Sequence, residues 1–270
     1  MDAVLYEKIS EADLILVGLG EEFNIPQNTE RRKKYQKYRE ILLESGKGWM
    51  LPELISFLSE EEACHNEKDS ESEAVCKGLC RLAELLQNKN YFVVSVSVND
   101  KISQVPWKEG RLVAPCGTGY RKQCENGCAS VLKECSQEEK AGIRNFIRNL
   151  ESTPFHEEEA AFLGICPECG KPMVLNNIYA EHYNENGYLG QWNLYTKWLQ
   201  GTLNKKILLL ELGVGMQFPS VIRWPFEKIA FFQKKAEFYR INEKLYHMSE
   251  ELKGKGNSIA MNAVEWLGTL

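Results

Sequence analysis

The chain has 270 residues, a formal net charge of −5, 43% hydrophobic and 26% charged residues, a balance ordinary for a soluble globular protein of one large or two modest domains and contrary to broad nucleic-acid binding. No apolar run is long enough to span a membrane. Nine cysteines follow an N-terminus, MDAVLYEKISEADLILVGLG, that is acidic ahead of its apolar run and so unlike a signal peptide. Together they predict a reducing, cytoplasmic setting in which clustered cysteines hold metal rather than disulfides.

In chain order, Leu5 to Ala12 reads as a short helix and Asp13 to Val17 as a buried strand that ends at Gly18-Leu19-Gly20. A strand running into Gly-x-Gly is the start of a nucleotide-binding βα unit, although the third glycine is missing. Glu21 and Glu22 follow. Two carboxylates at a pyrophosphate loop repel the ligand by roughly 1 kcal/mol each near a surface, so either they turn to solvent or the loop no longer holds a phosphate.

Thr29 to Glu44 has helical spacing and a basic first half (Arg31, Arg32, Lys33, Lys34, Lys37, Arg39), read as a solvated face or as a basic lip over a site. Met50 to Leu58 is a second helix with Pro52 in its first turn. Ser59 to Glu73 is acidic, a loop or the exposed start of the amphipathic helix Cys76 to Leu86. Cys64, Cys76 and Cys80 read as packing residues, since Cys64-His65 has no second partner at ligand spacing. Tyr91 to Val98 is β-branched and aromatic, a strand ending at Ser97 and Asn99. Arg111 to Ala114 is a short strand running into Pro115-Cys116-Gly117, where Cys116 can act as a nucleophile only if its pKa is lowered.

Cys124-Glu125-Asn126-Gly127-Cys128 and Cys166-Pro167-Glu168-Cys169-Gly170 are a Cys-x3-Cys and a Cys-x2-Cys. Two such pairs on two turns present four thiolates to one tetrahedral zinc at about 2.3 Å and leave no open position, so the metal is structural. Cys135 is a spare thiol, Gln137 to Leu150 a helix, and Glu157 to Glu159 a solvated acidic run. Pro172 to Asn176 is a strand, Asn184 to Gly190 a polar turn, and Gln191 to Leu203 a helix whose Trp192, Leu194, Tyr195, Trp198 and Leu199 face the core.

Ile207 to Leu210 is a central parallel strand that stops at Gly213-Val214-Gly215, where open α/β sheets bind ligands and glycine lets backbone amides approach a phosphate. Phe226 to Gln233 is a helix, Ala236 to Ile241 a strand, Lys253 to Asn257 a turn, Ser258 to Met261 a last strand, and a terminal helix includes Trp266 and Leu267. Strands alternating with helices around an inserted four-cysteine module give an α/β fold with a mainly parallel sheet.

The segments Leu210-Glu211-Leu212-Gly213-Val214-Gly215, Ile222-Arg223-Trp224-Pro225-Phe226-Glu227 and Arg240-Ile241-Asn242, with the cysteine layout and Pro172-Met173, resemble the sirtuin family, closest to its macrodomain-linked ADP-ribosyltransferase branch. The resemblance is strong over 115–173 and 208–242 and weak over 24–86. It implies a Rossmann-like domain from 1–110 and 174–270, with a helical insertion about 26–88 and a zinc module at 111–173. It also implies NAD or ADP-ribose as ligand, a structural zinc, and a protein that accepts ADP-ribose or supplies an acyl group. On it, Gly18 and Gly20 meet the pyrophosphate, Gly213, Val214 and Gly215 phosphate and ribose, Asn242 the adenosine ribose, and Asn262 the adenine. Ser97 and Asn99 replace the family's nicotinamide- and ribose-contacting pair, with Asp100 a substitute by register shift, and Cys116 stands where the family has histidine or, in this branch, glutamine. The expected activity is NAD-dependent ADP-ribosyl transfer, with deacylation the lesser option. The alternatives are a catalytically degenerate module that binds nucleotide or protein, and an interaction protein without a nucleotide.

Overall fold

The computed structural model describes residues 3–64, 71–128, 132–151, 161–252 and 254–270. Its first strands are β1 (Leu14–Leu19), β2 (Asn90–Ser95) and β3 (Leu112–Val113). A three-stranded antiparallel sheet follows, made of β4 (Gly117–Cys124), β5 (Leu132–Glu134) and β6 (Met173–Asn177) in the order β5-β4-β6. The last strands are β7 (Ile207–Leu212), β8 (Ala236–Ile241) and β9 (Gly256–Ile259). With β1 to β3 they form one six-stranded sheet, order β3-β2-β1-β7-β8-β9, parallel throughout. The joins expected at 110/111 and 173/174 fall beside β3 and inside β6.

Every residue of β1 and β7 is buried, which is why both read as unbroken apolar runs. Side chains alternate across a strand, and the two faces accordingly feed two cores. Ile15, Val17 and Leu19 pack with Leu208, Leu210 and Leu212 against α1 (Ala3–Glu11), α4 (Glu71–Leu86) and α9 (Ala263–Gly268). Leu14 and Leu16 pack with Ile207 and Leu209 on the side of α7 (Leu189–Gln200) and α8 (Arg223–Phe232). That second core continues into α2 (Thr29–Glu44), α3 (Leu51–Cys64) and the small sheet with its helix α6 (Gln137–Arg148). The short α5 (Lys101–Gln104) lies between β2 and β3. Among the described residues no helix is long and apolar enough to cross a membrane.

Several boundaries differ from expectation for local reasons. β2 stops at Ser95, three residues early, because Ser97 and Val98 leave the ladder to bond the Asn24 side chain. α3 runs on to Cys64, through glutamates and an alanine that favour helix. α7 begins within the expected polar turn, and α8 begins at Arg223 with Pro225 in its first turn. β9 is Gly256–Ile259, two residues ahead of its expected span. Leu194 on α7 is 50% exposed, whereas Tyr195 is buried and the Trp198 ring packs at a tilt against Phe92. His65 and Glu157 to Glu159 lie outside the described residues.

The basic half of α2 is neutralised by ion pairs: Arg32 with Glu243 at 2.9 Å, Lys34 with Glu61 at 2.7 Å and Lys37 with Glu151 at 2.8 Å. The small sheet is tied to the helical insertion by a buried charge cluster. Lys140 of α6 donates to Asp100 at 2.7 Å, and Arg144 donates to Glu53 of α3 at 2.5 Å. Asp100 also accepts the Gly119 amide.

Candidate functional site

The strand order reverses between β1 and β7, and their carboxyl ends carry the two glycine turns. This topological switch point is where open α/β sheets open a crevice for ligands. Here the two turns touch. A Cβ on Gly20 would lie 2.1 Å from the Gly213 carbonyl oxygen and 2.2 Å from the Val214 Cα. Gly213 has φ +63°, and a Cβ there would lie 2.7 Å from the Glu22 Cβ. Gly20 and Gly213 are therefore glycines because backbone and Glu22 fill the space beside them. Gly18 is one as well, for packing: its missing side chain leaves room for Ile222, 2.4 Å from the ideal Cβ, and for the Phe226 ring.

Glu21 and Glu22 do not turn to solvent. Glu21 accepts the Gly215 amide at 2.6 Å. Glu22, 9% exposed, accepts the Glu243 amide through Oε1 and the Ala263 amide through Oε2, each at 2.8 Å. Amides from just beyond β7 and β8 and from the first residue of α9 thus meet two carboxylates that follow the end of β1. Hydrogen bonds to a charged group are worth about 1.5–3 kcal/mol each. Burial still dominates and raises the Glu22 pKa against the opposing effect of the two amides. The second Glu21 oxygen, Oε1, is buried without a hydrogen-bond partner.

The other residues singled out from sequence line the same region, and their polar atoms are bonded internally except Asn262 Nδ2, which is buried without a hydrogen-bond partner. Asn242 donates to the Val214 carbonyl and accepts from Lys244 and Leu245. Asn262 caps α9 by accepting the Val264 amide. Ser97 donates to Asn24 at 2.6 Å and accepts the Asn99 amide; Asn99 donates to the Phe23 carbonyl and accepts the Lys101 amide. Asp100, bound to Lys140, is not available to stand in for a ribose contact. Cys116 is 2% exposed, and burial, with Glu21 nearby, pushes its thiol up to about 12. It is a protonated thiol at neutral pH, neither nucleophile nor base.

Beneath the Gly213 turn lies a network that reading residue by residue did not find. Glu211, fully buried, receives Arg240 Nε at 2.6 Å and Nη2 at 3.0 Å. Arg240 also reaches Glu227 and the His247 carbonyl, while Arg223 donates to the carbonyls of Val214 and Leu245. The signal was present in the sequence: a glutamate and an arginine inside otherwise apolar strands, where an unpaired charge is costly.

The four cysteines expected to bind metal come together. Their Sγ atoms lie within 4.8 Å of one another, with Cys124 and Cys169 at 3.4 Å. A tetrahedral tetrathiolate with bonds near 2.3 Å sets its sulfurs about 3.8 Å apart, so the cluster fits zinc. Each pair sits on a turn closed by a left-handed glycine, Gly127 (φ +73°) and Gly170 (φ +71°), and the Asn126 amide supports the Cys124 sulfur at 3.3 Å. Cys135 lies outside the cluster, with its thiol pushed up to about 12 by burial.

No family model matches the chain. A "Protein ADP-ribosyltransferase" of Staphylococcus aureus is 27% identical over 89 residues, 32% of this chain. A "Probable bifunctional ADP-ribose hydrolase/ADP-ribosyltransferase" of Fusarium oxysporum f. sp. cubense is 24% identical over 127 residues, 46% of this chain. The matches span only 28% and 20% of those relatives' length. Among solved structures, a serine-to-alanine Sir2 homologue in complex with ADP-ribose is similar over 100% of this chain and 94% of its own, at TM-score 0.52 and 13% identity. Sir2 with a p53 peptide and NAD+ is similar over 99% and 95%, at TM-score 0.53 and 12% identity. At such identities the likeness is one of fold, and the fold is that of the sirtuins.

Proposed function

We propose that this sirtuin-fold protein takes NAD or ADP-ribose in the crevice at the carboxyl ends of β1, β7 and β8, and works there as a binding module rather than a deacylase. The observation that carries this reading is the meeting of the Gly18–Gly20 and Gly213–Gly215 turns at the switch point of a doubly wound parallel sheet. Similar folds crystallised with ADP-ribose and NAD+ support it. On this reading Gly20, Gly213, Val214 and Gly215 flank the phosphates, and Asn242 and Asn262 the adenosine half. Zinc holds the four-cysteine module and supplies no chemistry to the crevice. The division into a nucleotide-binding unit, 1–110 and 174–270, and a zinc unit, 111–173, is shifted by a few residues so that β3 stays with the large sheet and β6 with the small one.

Chemistry is where the site departs from its relatives in fold. Removing a proton from a ribose hydroxyl needs a base titrating near neutrality, and Cys116 carries a thiol raised to about 12. Ser97 and Asn99 are committed to internal bonds. A second reading, ADP-ribosyl transfer to a protein acceptor, is favoured by the names of the two curated relatives. Cysteine usage supports a reducing, cytoplasmic setting for either.

Free nicotinamide measured after incubating the zinc-loaded protein with NAD separates the two. The binding-module reading predicts saturable ADP-ribose binding with no nicotinamide above the protein-free blank. Release of nicotinamide that transfers label from NAD to an acceptor protein overturns it in favour of transfer.

A further inference from the structure

Glu21 and Glu22 sit where an anionic ligand would have to go. The amides of Gly215, Glu243 and Ala263 belong to three separate segments yet all bond the carboxylates of two consecutive residues, Gly215 that of Glu21 and the other two that of Glu22, as backbone donors from several segments do around a bound phosphate. The carboxylates already there carry the charge and acceptor oxygens that a diphosphate would bring. The space is also taken, since the ideal Cβ of Gly213 lies 3.0 Å from Glu22 Oε2 and that of Gly215 lies 3.1 Å from Glu21 Oε2.

We propose that Glu21 and Glu22 are an internal anion that occupies the phosphate position of the crevice, and that a nucleoside diphosphate binds by displacing them. This rests on the reading of the crevice as a nucleotide site and adds its regulation. The occupied state is poised rather than locked. Glu21 Oε1 is buried and unpartnered, and Arg32, the cation near Glu22, is paired with Glu243. A buried carboxylate held by amides without a cation of its own gives back part of its bonding as desolvation. A diphosphate reaching the same amides replaces the carboxylates, whose side chains swing to water while Phe23 and Asn24 of the same short turn stay bonded to Asn99, Ser97 and Val98. The pair therefore sets both how tightly the site binds and which ligands it favours. Diphosphates compete with the carboxylates, whereas an uncharged nucleoside does not.

The test is calorimetric titration with ADP-ribose, and separately with adenosine, of the zinc-loaded protein and its Glu21→Gln, Glu22→Gln and double variants. Glu21→Gln is the cleanest, because its amide oxygen still accepts the Gly215 N–H while the charge is gone; thermal melting confirms that it folds. Loss of either charge should tighten ADP-ribose at least tenfold, with the double variant tightest and adenosine unmoved. Equal ADP-ribose affinity in wild type and all variants overturns the internal anion and leaves the nucleotide site standing. Equal tightening for adenosine overturns it too, because the effect is then not competition for anion positions. Absence of ADP-ribose binding in wild type and in the folded Glu21→Gln variant overturns the nucleotide site, and the internal anion with it.

Discussion

Arg240 grips Glu211 with two nitrogens, at 2.6 and 3.0 Å, where β8 and β7 end and the glycine turn begins. Both side chains are essentially fully buried. The pair joins the sheet to the loops that frame the crevice, through Glu227, His247 and the neighbouring Arg223.

Removing Arg240 leaves Glu211 fully buried with only the longer contact to Arg223 at 3.7 Å, and breaking a buried pair in this way costs about 3–5 kcal/mol. Arg240→Met is therefore expected to lower stability by that amount in denaturant melts. Glu211→Leu combined with Arg240→Met should cost clearly less than Arg240→Met alone. A single substitution costing under about 1 kcal/mol, the range of an exposed pair, would show that the network does not hold the turn.

Gly20→Ala and Gly18→Ala separate backbone contact from side-chain packing. At Gly20 the new methyl meets backbone at 2.1 Å, which cannot move without parting the two turns. At Gly18 it meets the Ile222 side chain at 2.4 Å. Overpacking against side chains costs about 1–3 kcal/mol. Gly18→Ala should fall in that range and Gly20→Ala should exceed it, both read as shifts in the unfolding midpoint. The reverse order would contradict the contact between the turns.

Glu22 has its pKa raised by burial. A carboxylate raised in the folded state stabilises most below its unfolded value of about 4.3, and that contribution is lost as pH rises through the folded value. Arg32, Glu21, Glu243 and Lys244 face or flank it and are unchanged in a Glu22→Gln variant, so they largely cancel in a comparison with wild type. The melting temperature of Glu22→Gln relative to wild type should therefore rise between about pH 4 and neutrality. A difference that is flat with pH would mean that Glu22 titrates like an exposed carboxylate.

Zinc analysis and single cysteine-to-serine variants test the metal cluster. One zinc per chain is expected; it should be lost, with most of the cooperative melt of the small sheet, in Cys124→Ser or Cys169→Ser and retained in Cys135→Ser. Cys116 should resist alkylation in the folded protein at pH 8, since a thiol near 12 is about one part in ten thousand thiolate there. Rapid labelling of Cys116 would return it to consideration as a nucleophile.

Strand positions were legible because β1, β2 and β7 are buried on both faces and leave apolar runs, and α2 because its apolar residues recur at helical spacing. The cysteines were legible because metal geometry restricts spacing. The state of the crevice was not. Whether Glu21 and Glu22 face water or amides depends on Gly215, Glu243 and Ala263, each roughly 190 or more residues away in sequence. The same holds for Ser97 and Asn99, whose partners Asn24 and Phe23 arrive from another turn. In the segments Leu210–Gly215 and Arg240–Asn242 the sequence likeness marked ligand contacts at Gly213, Val214, Gly215 and Asn242, and in Ile222–Glu227 it marked none. The structure shows Glu211, Arg223 and Arg240 of those segments as one buried network under the turn, with the part-exposed Glu227 at its edge.

The most direct test of the central claim is calorimetric titration of the zinc-loaded wild-type protein with ADP-ribose, carried to millimolar ligand so that competition from Glu21 and Glu22 is overcome. A single saturable site, lost on Gly215→Asp without loss of the folded melt, is the predicted result. Heats no larger than ligand dilution across the whole range, from folded protein with its zinc in place, would contradict the nucleotide site.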